Sequence, residues 1–377
     1  MTSRERMLLA MTGGQADMVP VAPDTSNMIP CRLTGKPFWE IYLYQDPPWW
    51  EAYIRCAQHF GFDGWVYAVP LELDYEMEAA AAGPQWTEAI VQRTPERIYT
   101  RRWAMVEGKR QWSRDCTVYY IADSPTWGVP LKKVGLPEGD PVTWEDVEPR
   151  ARYRGREAYD RARELIGDDG VVGVAVATPM LGLSAEEAYA WADDRQGVIK
   201  RCEALSEQYL RRCREVVKLK PDFVLTGGSG MMISNPEPIF RQLCLPTIQE
   251  VTRICKEAGV PSQIHCCGPE ADLVRICAEE TELSSINPLE IPPMGDCDLA
   301  LLKREYGHKL SLMGNLHTTD VMLKGSVQTV IDAAKQAIDD AAAGGGFILS
   351  TGDQCGRDTP DENLRALIDT ARTYGKY

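Results

Sequence analysis

The sequence predicts an α/β protein folded as a (β/α)8 barrel, a TIM barrel, and two observations support this expectation. Short apolar runs, typical of parallel strands covered on both faces, alternate with longer segments whose apolar residues recur every three or four positions. The chain has 377 residues, which exceeds a minimal domain and suits a large barrel with an insertion. We therefore expect residues 1–377 to form a single barrel domain.

The elements can be assigned in chain order. A first helix is expected because Thr2 and Glu5 have the spacing of a capping box ahead of a short apolar stretch. The predicted strands are short and apolar, and they lie at residues 18–22, 64–68, 171–177, 223–225, 262–264, 283–286, 310–313 and 346–349. The predicted amphipathic helices lie at residues 185–217, 246–258, 271–280, 299–306 and 327–343.

One stretch, residues 71–150, interrupts the alternation of strands and helices. It is rich in charge, Trp and Pro, and residues 98–103 and 111–121 suggest a hairpin. We expect this stretch to be an insertion that lies over one mouth of the barrel as a lid.

Composition excludes several classes of function. Hydrophobic residues make up 44% of the chain and charged residues 25%, the balance of a soluble globular protein. A net charge of −14 disfavours nucleic acid as a partner, because phosphate binding requires a basic face. No apolar run approaches the roughly 20 residues of a membrane span, and no signal peptide is apparent. We expect a cytoplasmic protein whose 12 cysteines are mostly reduced.

Two predicted strands end in residues that can bind a metal ion. In a barrel of this kind the chemistry occurs at the carboxyl ends of the strands. His265 and Cys267 follow one strand on the same side of an extended segment, whereas Cys266 points to the other side. Cys355 follows the last strand, and a His/Cys/Cys set suits Zn²⁺ with one open position. A His-x-Cys pair also occurs without a metal, and the convergence of two cysteine-bearing strand ends is what favours a site.

Other polar residues follow the predicted strands. Glu290 is the preferred catalytic carboxylate, because it follows the strand next to the one that ends at His265. Asp24 and Asn315 are expected to face the same cavity and to contact substrate. Each of the three could also supply the fourth metal ligand, which the sequence leaves open.

Aromatic residues are concentrated in the N-terminal half of the chain. All ten tryptophans lie at or before Trp191. Trp86 and Tyr75, near the start of the insertion, are candidate substrate-binding residues, and Trp65 adds to the same aromatic surface. This surface exceeds what an aliphatic thiol requires and suits stacking against a planar ring, although each aromatic side chain could instead serve packing.

Several motifs together carry a resemblance to a known family. They are residues 4–8 and 17–21, Leu245-Pro246, His265-x-Cys267-Gly268, Gly314-Asn315-Leu316, and Cys355 followed by residues 359–364. In these motifs the chain resembles the uroporphyrinogen decarboxylase superfamily, over nearly its whole length apart from residues 71–150. The arginine-rich motif with which the decarboxylase binds porphyrin carboxylates has no counterpart around residues 24–34, so uroporphyrinogen is a poor substrate candidate. His-x-Cys with a late Cys is similar to the zinc-dependent, corrinoid-linked methyltransferase branch.

The resemblance implies a cofactor, a partner and a reaction. It implies Zn²⁺ bound by His265, Cys267 and Cys355, and an O-demethylase that moves a methyl group from a methoxylated, aromatic substrate to cob(I)alamin on a separate corrinoid protein. A methylcorrinoid:thiol methyltransferase of the coenzyme M type is an alternative, because zinc can also hold a thiolate. A zinc-free decarboxylase and a non-enzymatic tetrapyrrole binder are further alternatives. The methyl donor, the direction of transfer and the oligomeric state stay open.

Overall fold

The computed structural model describes all residues, Met1–Tyr377, as two compact units. The first unit comprises Met1–Asp24, Ala57–Val69 and Ala162–Tyr377, and the second comprises Thr25–Cys56 and Pro70–Arg161. The expected insertion, residues 71–150, therefore belongs to a unit that also takes in an earlier segment of the chain. Its placement over the barrel mouth stays a prediction. None of the helices combines the length and the apolar character that crossing a membrane requires.

Thirteen strands are numbered here in chain order. They are β1 (Gly64–Val66), β2 (Thr87–Arg93), β3 (Arg97–Val106), β4 (Lys109–Trp112), β5 (Asp115–Tyr120), β6 (Thr126–Pro130), β7 (Glu145–Asp146), β8 (Gly170–Ala175), β9 (Phe223–Gly227), β10 (Ser262–His265), β11 (Ser285–Asn287), β12 (Ser311–His317) and β13 (Phe347–Gly352).

The α-helices are numbered in the same way. They are α1 (Ser3–Met11), α2 (Met28–Leu33), α3 (Phe38–Tyr42), α4 (Trp49–Phe60), α5 (Asp74–Ala82), α6 (Glu157–Ile166), α7 (Ala185–Asp193), α8 (Arg195–Val216), α9 (Met231–Ser234), α10 (Glu237–Leu243), α11 (Leu245–Ala258), α12 (Ala271–Glu280), α13 (Leu299–Tyr306), α14 (Val327–Ala341) and α15 (Asp361–Tyr374). Short 3₁₀ turns at Leu131–Val134 and Val217–Leu219 and a π-helical turn at Thr318–Leu323 complete the set.

The first unit is the expected (β/α)8 barrel. Seven parallel strands form one sheet in the order β1-β8-β9-β10-β11-β12-β13. Residues 18–22 lie between the two edges of this sheet: Val21 forms a single parallel bridge with Leu349, and its carbonyl accepts the Asp63 N–H at 2.9 Å. The predicted first strand is thus only a bridge, because Pro20 has no N–H with which to extend a ladder.

Helix α1 packs against the barrel core, and the capping box predicted at its start is present. Met7 and Met11 join a buried cluster with Trp65, Phe223 and other barrel residues. Trp65 is 1% exposed and donates its indole N–H to Gln263 Oε1 at 2.8 Å, so it serves the core rather than a substrate surface.

A buried ion pair joins the first segment of the chain to β1. Arg6 Nη1 lies 2.7 Å from Asp63 Oδ1, with the two side chains 10% and 4% exposed. The other carboxylate oxygen of Asp63 accepts the Val21 N–H at 2.8 Å, and Arg6 also contacts Asp17 at 2.8 Å. Asp63 therefore connects α1, residues 18–22 and β1, the three parts that meet where the barrel closes.

The second unit contains an antiparallel sheet in the order β6-β5-β3-β2-β7, with β4 paired to β3. The predicted hairpin is present, since β3 pairs with β4 and with β5. Two small clusters of buried residues lie against this sheet, one around Ile98 and one around Val118.

Replacing Asp63 by Asn should destabilise the barrel unit by about 3 kcal/mol, because breaking a buried pair leaves a poorly compensated guanidinium. Chemical denaturation of the purified variant measures this change. The control is Asp160→Asn, which removes an exposed i,i+4 pair with Arg156 and should cost roughly 0.5 kcal/mol or less. Equal losses in the two variants would contradict a special role of Asp63.

Candidate metal centre

The candidate site begins at the carboxyl end of β10. His265 is the last residue of this strand and lies opposite Gly227 of β9 and Asn287 of β11. The chain then turns at Gly268, whose φ of +101° favours glycine and where a Cβ atom would lie 3.0 Å from the Ile233 side chain. Because the strands are parallel, residues that follow β10 and β13 emerge at the same mouth of the barrel.

Three side chains with different donor atoms converge there. The donor atoms of His265, Cys267 and Asp353 all lie within 4.8 Å of one another. Cys267 Sγ is 3.6 Å from His265 Nε2, which is 4.0 Å from Asp353 Oδ1. That carboxylate oxygen is buried without a hydrogen-bond partner, an arrangement that a bound cation would satisfy. Nitrogen, sulfur and oxygen ligands suit a borderline divalent ion such as Zn²⁺.

Burial shifts the pKa values of His265 and Cys267 in opposite directions. It lowers the pKa of His265, an effect that the Asp353 charge and the Asn287 side chain oppose. Burial also raises the pKa of Cys267 to about 12, and the negative charges of Asp353 and Glu290 add to it. At neutral pH the imidazole is therefore ready to bind a metal, whereas the thiol must lose a proton when it does so.

Two buried carboxyl groups tie the loop after β10 to the loop after β11. Glu290 Oε2 accepts the Gly268 N–H at 2.5 Å, and Glu270 Oε2 accepts the Leu289 N–H at 2.5 Å. Burial raises the pKa of Glu290 and raises that of Glu270 well above its usual range. This reciprocal arrangement fixes Glu290 next to the residue that follows Cys267.

Sequence comparison identifies the family. A profile described as uroporphyrinogen decarboxylase (URO-D) matches residues 185–374, just over half of the chain and the part that contains the three clustered residues. The chain belongs to the uroporphyrinogen decarboxylase family. No curated protein sequence matches it at a significant level.

Solved structures add the fold to this family assignment. A methyltransferase from Methanosarcina mazei matches with a TM-score of 0.63 and 18% identity, over 99% of both chains. A B12-independent methionine synthase from Shewanella sp. W3-18-1 matches with a TM-score of 0.47 and 13% identity, over 95% of this chain and 98% of that one. At 18% identity the first similarity shows a shared barrel fold.

The third predicted ligand, Cys355, is not a member of the cluster. Its side chain is fully buried, and its backbone N–H donates to the Asp24 carbonyl at 2.8 Å. Burial raises the pKa of its thiol to about 12, and the neighbouring hydroxyl groups of Thr351 and Thr359 partly oppose this rise. Cys266 is also buried outside the cluster. The structure thus brings together two of the three predicted ligands and adds Asp353, and a metal-binding role for Cys355 stays a prediction.

The other predicted residues of the barrel occupy different positions around this mouth. Asp24 is buried, donates its backbone N–H to Thr351 Oγ1 at 3.0 Å, and contributes to the raised pKa of Cys355. Asn315 donates its side-chain amide to the Leu289 carbonyl at 3.1 Å, one residue before Glu290. Asn315 therefore helps to hold the loop that carries Glu290. Contact of Asp24 or Asn315 with substrate stays a prediction.

Tyr75 and Trp86 belong to the second unit. Tyr75 lies on α5, with its hydroxyl 3.5 Å from Glu76 Oε1. Trp86 is 46% exposed and lines a cavity within that unit. Their role as substrate-binding residues stays a prediction.

Sequence reasoning missed Asp353 and Glu270. Asp353 directly follows β13, so the rule that led to His265 could also have found it. Its φ of +80° lies in a region that Asp adopts more readily than most residues. Glu270 gives no such signal, because a glutamate just before α12 looks like an ordinary residue at a helix start.

The cluster should bind Co²⁺ as a spectroscopic probe and give thiolate-to-cobalt charge-transfer absorption. We expect Cys267→Ser to abolish this band, Asp353→Asn to weaken Co²⁺ binding at least tenfold, and Cys266→Ser to change neither. Because the thiol proton must leave, the affinity should rise by about tenfold per pH unit near neutrality.

Cys355→Ser tests the remaining ligand. If this variant loses the ion while Asp353→Asn keeps it, the third ligand is Cys355 and not Asp353. An affinity for Co²⁺ that does not change with pH would contradict binding through the Cys267 thiolate.

Proposed function

We propose that this member of the uroporphyrinogen decarboxylase family is a zinc-dependent methyltransferase. In this proposal it moves a methyl group from a methoxylated, aromatic substrate to cob(I)alamin carried by a separate corrinoid protein. The observation that carries the proposal is the cluster of His265, Cys267 and Asp353 at the strand ends. Family membership and the similarity in fold to a methyltransferase from Methanosarcina mazei also support it.

The residues at the mouth fit a zinc ion. His265 and Cys267 would be two of its ligands, and Asp353 or, as the resemblance implies, Cys355 would be the third. Three protein ligands leave a position open for substrate. When bound, zinc supplies a Lewis acid that stabilises charge developing on the ether oxygen.

Glu290 has the properties of a proton donor in this reaction. Breaking the O–CH₃ bond transfers the methyl group to cob(I)alamin and leaves an alkoxide or phenoxide oxygen that must take up a proton. Burial raises the pKa of Glu290, so a larger fraction of this carboxyl group is protonated near neutral pH. The Gly268 N–H donates to one of its oxygens, and in this proposal the other oxygen carries the proton that the reacting group takes up.

The surroundings of Glu290 favour a fixed proton donor over a mobile one. Glu270 and Asn315 hold the Leu289 backbone from two sides, through its N–H and its carbonyl. A donor on a rigid loop loses less conformational freedom in the transition state. The three clustered side chains are only partly exposed, which limits the access of water that would compete with substrate for the ion.

Methyl transfer can be followed through the absorbance of the corrinoid. The zinc-loaded protein, a methoxyarene and cob(I)alamin should yield methylcob(III)alamin and the free phenol, and His265→Ala should abolish the reaction. If methylcobalamin and coenzyme M react readily while methoxyarenes do not, the protein is the thiol-methylating type instead. Release of CO₂ from an aromatic or tetrapyrrole acid without zinc would identify a decarboxylase.

Replacing Glu290 by Gln should lower kcat by about 10²- to 10⁴-fold while the zinc content stays full, because the proton donor is lost. The matched control is Glu279→Gln on helix α12. The Glu279 side chain is exposed, so this variant should leave kcat unchanged. A loss of zinc together with kcat in Glu290→Gln would show instead that this carboxylate is a metal ligand.

A further inference from the structure

The second unit contains a cavity of about 540 Å³. Every residue that lines it belongs to this unit, so it is a feature of the unit by itself. Its volume lies within the roughly 300 to 1,000 Å³ of small-molecule sites. None of its lining residues is His265, Cys267 or Asp353, which belong to the barrel unit.

Aromatic and apolar side chains form part of the cavity lining. Trp50 is 2% exposed and packs edge-to-face against Tyr153, with ring centroids 5.5 Å apart. Trp86 lines the same cavity and is 46% exposed, so its indole ring remains available for a ligand. Leu43 and Val147 add buried apolar surface. A planar ring is the kind of ligand that such a lining suits.

Four arginines alternate along the segment at the edge of this cavity, and they differ in their partners. Arg150 contacts Glu40 at 2.6 Å and Asp46 at 2.7 Å, and Arg156 contacts Asp160 at 2.8 Å. The two between them, Arg152 and Arg154, line the cavity and form no ion pair. Both side chains are exposed, so in a chain with a net charge of −14 their two guanidinium groups offer local positive charge to an anionic ligand in the cavity.

The backbone on both sides of these two arginines is held in place. The Arg150 N–H donates to the Tyr44 carbonyl at 2.7 Å. Gly155 donates its N–H to Glu72 Oε2 at 3.1 Å, and the Glu72 N–H donates to the Gly155 carbonyl at 2.9 Å. Residues 151–154 therefore connect two fixed points, which reduces the entropy lost when a ligand binds there.

The one carboxylate in the cavity lining has other partners. Glu88 Oε1 accepts hydrogen bonds from the Thr100 hydroxyl at 2.5 Å and from the Tyr119 hydroxyl at 2.9 Å. It forms no ion pair with Arg152 or Arg154, so their positive charges remain available to a ligand.

We propose that this cavity binds a planar aromatic carboxylate, with the ring against Trp86 and the carboxylate between Arg152 and Arg154. A guanidinium group binds a carboxylate through two parallel hydrogen bonds, and an indole ring stacks on an aromatic ring. The binding requires neither the metal cluster nor methyl transfer. It therefore stands or falls independently of the proposed function.

The test is calorimetric titration of the full chain with 4-methylbenzoate and with its neutral counterpart 4-methylbenzamide, which have no methoxy group and so are not substrates of the proposed methyl transfer. The carboxylate should bind at least tenfold more tightly than the amide. The double variant Arg152→Gln/Arg154→Gln should lose at least tenfold in affinity for the carboxylate and remove its advantage over the amide. Trp86→Ala should weaken the binding of both compounds.

Two control variants establish whether the carboxylate binds in this cavity. Arg156→Gln removes an ion-paired arginine from the same segment and should leave the affinity unchanged. His265→Ala alters the metal cluster and should also leave it unchanged, whether or not methyl transfer is observed. Unaltered binding in the double arginine variant, equal binding of acid and amide, tighter binding of inorganic phosphate than of the acid, or loss of binding in His265→Ala would each overturn the proposal.

Discussion

The barrel depends on one buried carboxylate at its seam. Asp63 accepts hydrogen bonds from the Arg6 side chain and from the Val21 backbone, so α1, residues 18–22 and β1 meet at a single side chain. Val21 forms the bridge from residues 18–22 to β13, and Asp63 holds the same residue from the side of β1. This closure also brings the Asp24 carbonyl to the backbone of Cys355. The Arg6–Asp63 ion pair, which is distant in sequence from the candidate site, therefore helps to position the segment that contacts Cys355.

The mouth of the barrel concentrates acidic groups that have no cationic partner. Glu270 and Glu290 are buried and have raised pKa values, and the Asp353 carboxylate lies beside Cys267. Burying such groups costs free energy unless a cation or a proton compensates them. A metal ion bound by the cluster would supply that compensation, and protonation of the glutamates supplies it elsewhere. In the proposed function this difference assigns Asp353 to the metal ion and Glu290 to proton transfer.

The two units have opposite local electrostatics. The barrel mouth has acidic groups around a thiol and an imidazole, whereas the cavity of the second unit has two guanidinium groups without carboxylate partners. A cation suits the first arrangement and an aromatic anion suits the second. Asp353 has a buried carboxylate oxygen without a hydrogen-bond partner, and such a group is more typical of binding sites than of structural ones.

The sequence by itself predicted the barrel and two of the three clustered residues, His265 and Cys267. Only the tertiary structure showed that Asp353 lies beside them. Apolar runs indicate buried strands because strand burial is a local, periodic property, and the alternation of side chains predicted that His265 and Cys267 lie on one side. Whether Asp353 or Cys355 meets them depends on how the chain turns after β13, where Asp353 has a φ of +80°. The role of Trp65 in the core and the inclusion of residues 25–56 in the second unit likewise depend on contacts between distant segments. Such contacts arise only when the chain is folded, so no local pattern records them.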